Sequence, residues 1–218
     1  MIEAERIFET REALAETLAR DVADKLARAI AAKGKAVLAV SGGSTPKLFF
    51  EKLSEIGLPW SRVSITLVDE RQVPEESERS NARLVKAHLL RNKAAAANFI
   101  PLFANPAAEK APPFDVAILG MGNDGHTASF FPGGDRLAEA LDRSSGQRLI
   151  GISAPGAGEP RLTFTLPVLE QAGRLALHIE GADKKAVLAK ALGEGPAENM
   201  PVRAVLRSAT PITLYWCP

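Results

Sequence analysis

Ala36-Val-Leu-Ala-Val40, followed at once by Ser41-Gly-Gly-Ser-Thr-Pro46, decides the fold. Five apolar residues without alternation are the pattern of a strand buried on both faces, as in a parallel sheet covered by helices. Upstream, Leu14, Leu18, Val22, Leu26 and Ile30 recur every four residues. They form a slowly winding apolar stripe on a helix that Gly34 is placed to end. Downstream, Ser44 or Thr45 is expected to cap a second helix, with Pro46 in its first turn and Gly57 at its exit.

The alternation continues along the chain. Residues 63–68 (Val-Ser-Ile-Thr-Leu-Val) predict a strand ending in Asp69-Glu70-Arg71, and Ser80-Asn81 precedes a helix carrying Leu84, Val85 and Leu89. Further strand-like runs fall at 116–119, 149–152, 175–179 and 212–216, with helical stretches near 135–142 and 183–192. Strands alternating with helices imply crossover units. The expected architecture is therefore α/β: one Rossmann-like domain over 1–218, with a mostly parallel sheet and helices on both faces. Residues 94–97 and the proline-rich 101–113 read as a surface connection, with no internal repeat or low-complexity linker.

Composition narrows the function classes. At 218 residues, with 46% hydrophobic and 24% charged residues, the chain has the make-up of a soluble globular protein. A net charge of +1 supplies no general field for nucleic acid or an anionic membrane, and one Tyr with two Trp offers few stacking platforms. The single cysteine, Cys217, excludes an internal disulfide. The opening Met-Ile-Glu-Ala-Glu-Arg puts acids where a secretory signal needs bases, and no apolar run has membrane-spanning length. A cytoplasmic protein, a monomer or weak homodimer, is expected.

Parallel topology brings the loops after the strands to one sheet edge, where open α/β sheets bind ligands. Ser41, Gly42, Gly43, Ser44 and Thr45 combine two glycines, hydroxyls and a helix N-terminus, an anion cradle suited to a lone phosphate. It lacks the spacing of a nucleotide P-loop, and a capped turn is its bland alternative. Asp69-Glu70-Arg71 is either a solvated rim or a set of groups in which the arginine orients the acids or touches a hydroxyl.

Most specific is Gly120-Met-Gly-Asn-Asp-Gly-His-Thr-Ala-Ser-Phe-Phe-Pro132. Gly120, Gly122 and Gly125 spell a dinucleotide fingerprint. Pro132 ends the segment within two turns, however, and earlier strands precede it, so no dinucleotide cofactor is expected. Asp124 and His126 stand in this glycine loop before an expected short helical stretch, a pairing suited to acid–base work on a small molecule. His88, on a helix, and His178, within a strand, read as structural. Two ligands, Asp124 and His126, are too few for a metal. Lys184 and Lys185 fall in the first turn of a helix, where its dipole disfavours cations. A shared anion would make such a lysine sensible, and Arg161 offers a bidentate partner for the same phosphate.

These blocks together resemble the 6-phosphogluconolactonases, a family of the oxidative pentose phosphate pathway related to the glucosamine-6-phosphate deaminases. The resemblance rests on Ser41-Gly-Gly-Ser-Thr-Pro46, Asp69-Glu-Arg71 with Ser80-Asn81, the histidine block, Arg161-Leu-Thr163 and Gly181-x-x-Lys184. It implies that His126 is a general base, that Asp124, Asp69 and Arg71 organise the site, and that Arg161, Lys184 and the first loop hold a phosphate. The implied substrate is a phosphorylated sugar lactone, hydrolysed without cofactor or metal. The deaminases typically continue the histidine block as H-I-A-F-N-E-P, with a glutamate that orients the histidine, and that glutamate is missing here. Phe130 stands where the lactonases usually carry Leu. Competing functions are amino-sugar-phosphate deamination and non-catalytic sugar-phosphate sensing.

Overall fold

The computed structural model describes residues 2–218. Strand β1 (Ile2–Ile7) leads to α1 (Arg11–Lys33), whose amino end is capped by Thr10, the hydroxyl accepting from the Ala13 amide. Gly34 ends that helix as its position predicts. Its φ of 78° is the left-handed turn glycine adopts without strain, and its amide donates to the Ile30 carbonyl. All five stripe residues, Leu14 to Ile30, are buried.

Next come β2 (Ala36–Val40), α2 (Lys47–Ser54), β3 (Val63–Leu67), β4 (Asp69–Arg71), α3 (Asn81–His88), β5 (Asn98–Ile100) and β6 (Val116–Leu119). The second half holds α4 (Leu137–Leu141), β7 (Leu149–Ile152), β8 (Arg161–Phe164), α5 (Leu166–Glu170), β9 (Leu175–Glu180), α6 (Ala182–Leu192), α7 (Val202–Leu206) and β10 (Ile212–Cys217). Helices α1, α2 and α3 pack in one group, and α4, α5, α7 and α6 in another. No helix among the described residues is long and apolar enough to cross a membrane.

Seven strands form a sheet in the order β1-β10-β9-β6-β2-β3-β5, every pair parallel. The uniformly apolar β2 lies inside it, all five residues buried. Leu38 is wholly enclosed, and truncating such a side chain to Ala costs about 2–5 kcal/mol. From β2 the chain runs outward to β3 and β5, then returns to the other flank with β6, β9 and β10. Strand order therefore reverses between β2 and β6, and a crevice opens at such a switch point.

Several expectations need correction. Asp69–Arg71 does not simply end β3 but forms its own strand in a second sheet, β4-β8-β7, that is antiparallel. Residues 149–152 are a strand as expected, yet belong to this small sheet. The link to β8 contains no helix, so it cannot make a parallel crossover. Helix α2 starts with Pro46 as its cap residue and no side-chain cap from Ser44 or Thr45, and Glu55, before Gly57, follows its last turn. After His126 there is no helical stretch but a tight turn, closed by a bridge between Thr127 and Phe130 with Ala128 at φ 48°.

Candidate active site

The loops leaving β2 and β6 meet at the switch point and wall a cavity of about 360 Å³. Of the residues singled out from sequence, Ser41, Gly42, Gly43, Ser44, Thr45, Asp69, Arg71, Gly122, His126, Arg161 and Lys184 line it. Asp124 and Gly125 stand behind the lining. Gly125 sits at φ 80° against Met200, and its carbonyl accepts the Val202 amide, anchoring the loop to α7.

The histidine loop is built around one pair. His126 Nδ1 lies 2.6 Å from Asp124 Oδ1, and the same carboxylate oxygen accepts the His126 amide at 3.1 Å. An ionised carboxylate only accepts, so Nδ1 carries the proton and Nε2 is left as the acceptor of the neutral ring. The turn is pinned by the Gly122 amide donating to the His126 carbonyl at 2.9 Å and by the Thr127 hydroxyl donating to the Gly120 carbonyl at 2.7 Å. A side chain at position 122 would overlap both the imidazole and the Asp124 carboxylate. Burial pushes the Asp124 carboxyl up, but the hydrogen bonds from the His126 side chain and amide outweigh it, leaving the group below its ordinary value.

Short strand β4 divides its charges by the period-two rule. Asp69 and Arg71 face the cavity, while Glu70 turns away and caps α3. Its carboxylate accepts the Asn81 and Ala82 amides at 2.8 and 2.7 Å and the Ser80 hydroxyl at 3.3 Å. Burial raises the Glu70 pKa despite these bonds. Asp69 accepts the Ser129 hydroxyl at 2.5 Å and lies 4.0 Å from Arg161 Nη1. Arg71 donates to the Asn81 side chain at 3.0 Å and to the Arg79 carbonyl at 2.6 Å.

Arg71 and Arg161 are direct cross-strand partners between β4 and β8. Like charges placed opposite destabilise a ladder. Both guanidiniums keep a buried Nε without a partner. Burial lowers the Arg161 pKa, ahead of the opposing pull of Asp69. Lys184, in the first turn of α6, is likewise lowered by burial, more than Asp124 and Asp183 raise it. Arg71, Arg161 and Lys184 thus bring three cations to one cavity, an arrangement able to attract an anion. Lys185 is engaged elsewhere, its Nζ 3.9 Å from the Trp216 ring centroid.

Several residues at the site, though part of the motifs quoted above, were given no role from the sequence. Asn81 Nδ2 donates to the Asp69 carbonyl, and its side chain fills the space that any residue but glycine at 42 would need. The signal was its place directly after a helix-capping serine. Ser129 and Phe131 were hidden in what looked like a helix. His178, expected to be only structural, is buried in β9 yet forms part of the cavity wall beside Glu180. His88 fits the structural expectation, paired with Glu51 at 2.9 Å away from the cavity. Among the described residues no group of three or more His, Cys, Asp or Glu is placed to hold a metal ion.

The fold and cavity define an α/β protein with three cationic side chains lining a cavity beside a histidine–carboxylate pair. The chain belongs to the family described as glucosamine-6-phosphate isomerases/6-phosphogluconolactonase, whose model matches residues 9–216. It is 56% identical to a 6-phosphogluconolactonase of Rhizobium meliloti (strain 1021), over 97% of both chains. It is 50% identical to one from Mesorhizobium japonicum, over 97% of this chain and 94% of the other. The crystal structure of a 6-phosphogluconolactonase from Shewanella baltica OS155 superposes with a TM-score of 0.93 at 38% identity, covering all of both chains.

Proposed function

We propose that this chain hydrolyses 6-phospho-D-glucono-1,5-lactone to 6-phosphogluconate, with His126 as general base. The observation that carries this reading is the His126–Asp124 pair at 2.6 Å, set in the same cavity as Arg71, Arg161 and Lys184. The names of the relatives support the same reaction.

In this mechanism Arg161, Lys184 and the amides of loop 41–45 hold the phosphate. The lactone C1 then faces a water bound at His126 Nε2. The imidazole takes a proton as the water oxygen attacks C1, and Asp124 holds the ring and stabilises its new charge. Backbone amides of the glycine loop stabilise the oxyanion. The tetrahedral intermediate collapses, the C1–ring oxygen bond breaks, and the imidazolium returns its proton to the leaving oxygen. One water is consumed and the open-chain acid is released. Asp69 and Arg71 orient the sugar hydroxyls.

The test is incubation with freshly generated 6-phosphogluconolactone, corrected for spontaneous hydrolysis. Turnover above background is expected, with no ammonia released from glucosamine 6-phosphate. Ligand binding without turnover would make the chain a sensor, and ammonia release would make it a deaminase.

A further inference from the structure

One aromatic ring touches both halves of the site. Phe131 is 4% exposed, and its ring centroid lies 4.1 Å from that of His126 with 28° between the planes. The Arg161 Cζ lies 5.3 Å from the same centroid. The ring is itself fixed by the tight turn. The Phe131 amide donates to the Ser129 carbonyl at 3.1 Å, and its carbonyl accepts the Gly134 amide at 3.1 Å.

We propose that Phe131 is a positioning residue whose ring face holds the His126 imidazole and the Arg161 guanidinium in register. The inference rests on the reading of His126 as base and Arg161 as phosphate ligand. A single hydrogen bond to Asp124 leaves the imidazole free to swing about that bond, and a flat surface against its face removes the freedom. Aromatic faces also attract cations. Arg161 is a permanent cation, and His126 becomes one as it takes the water's proton. The buried Arg161 guanidinium donates from Nη2 to the Ala157 carbonyl at 2.5 Å and has Nη1 4.0 Å from Asp69, while its Nε has no partner, so the ring face completes its surroundings. The same ring thereby links hydrolysis to phosphate recognition.

The experiment compares Phe131→Met, which keeps volume but lacks a π face, with Phe131→Tyr, which keeps the face. In the wild type, ring-current shifts should move the His126 ring proton resonances upfield of their ordinary positions. Phe131→Met should abolish that displacement and leave the His88 and His178 signals in place. With 6-phosphogluconolactone, Phe131→Met should lower kcat about tenfold and raise KM severalfold, as loss of one stacked cation contact predicts. Phe131→Tyr should stay within about threefold of wild type on both, the hydroxyl being its only change.

Unshifted His126 resonances in the wild type would overturn the proposal without any variant. So would a folded Phe131→Met protein with unchanged kcat and KM, where His126→Asn has lost turnover. If His126→Asn keeps turnover, the base assignment fails instead, a result distinguishable from the first two.

Discussion

Two histidine–carboxylate pairs border the same cavity and differ in exposure and partners. In the loop after β6, Asp124 accepts a hydrogen bond from Nδ1 of His126 at 2.6 Å, with side chains 30% and 41% exposed. In β9, Glu180 lies 3.1 Å from Nε2 of His178, with side chains 2% and 11% exposed. His126 thus keeps its ring partly exposed at the cavity, whereas His178 keeps Nδ1 buried without a partner. Glu180 is further tied by Arg11 of α1 at 3.1 Å, and His178 meets the Phe49 ring edge-on. A base needs a lone pair that water can reach, and of the two pairs the more exposed loop pair fits the proposed role. Residue type is nearly the same in both places, and backbone context sets the difference in exposure and partners.

The sharpest way to break this contrast is to exchange the histidines one at a time. His126→Asn keeps a polar side chain but cannot take the water's proton. General-base catalysis contributes about 10²–10⁴-fold, so kcat should fall by that order with folding retained. His88→Asn should keep its turnover rate in the folded fraction. Near-normal kcat in His126→Asn, with activity lost on changing His178, would reverse the assignment of the two pairs.

The next largest effect concerns the anion half of the site. Removing the amine in Lys184→Ala should cost about 1.5–3 kcal/mol of substrate binding, a rise in KM of about 10- to 150-fold. Unphosphorylated gluconolactone hydrolysed as efficiently as the phosphorylated lactone would sink the phosphate role. The pH dependence has a definite sign. Burial lowers the pKa of Lys184, so the free protein loses this charge at lower pH than an exposed lysine would. KM should therefore rise on the alkaline side of neutrality, and Lys184→Arg, charged throughout, should delay that rise. A KM that stays flat up to the ordinary lysine range would remove Lys184 from phosphate binding.

How much of this was legible in the sequence depended on length and period. Helix α1 carries a regular apolar stripe ended by Gly34, strands β2 and β6 are unbroken apolar runs leading into glycine-containing loops, and each formed where its pattern placed it. The small sheet was harder to read. Strand β4 is three polar residues, and what makes it a strand is pairing with β8, far along the chain. Nothing local distinguishes Asp69 from Glu70. Alternation along a strand sends one to the cavity and the other to the amino end of α3, and the strand was not visible. The turn 127–131 was missed because Thr127 and Ser129 resemble helix-start residues. Their hydroxyls instead bond to Gly120 and Asp69.

A smaller effect separates the two pairs by stability. His178→Asn removes one of two partners of a nearly buried carboxylate and leaves polar atoms unsatisfied, at a cost of about 1–3 kcal/mol. Thermal unfolding should register that loss, while kcat of the folded protein stays within about twofold, since the group supplies no proton to the reaction. A kcat loss comparable to that of His126→Asn, in a protein as stable as wild type, would give His178 a chemical role.

Prolonged EDTA treatment should change nothing, the smallest effect expected of all. Each histidine–carboxylate pair could offer a metal two donors, whereas catalytic zinc sites use three protein ligands and one open position. Asp124 already spends an oxygen on both the His126 ring and its amide, and Glu180 is shared between His178 and Arg11. Neither pair gains a third ligand from its surroundings among the described residues. The proposed proton transfer needs only a neutral imidazole next to water. If chelation abolished activity and one particular divalent ion restored it, the attacking water would be metal-bound. The comparison would then have to be redrawn around which pair completes its coordination.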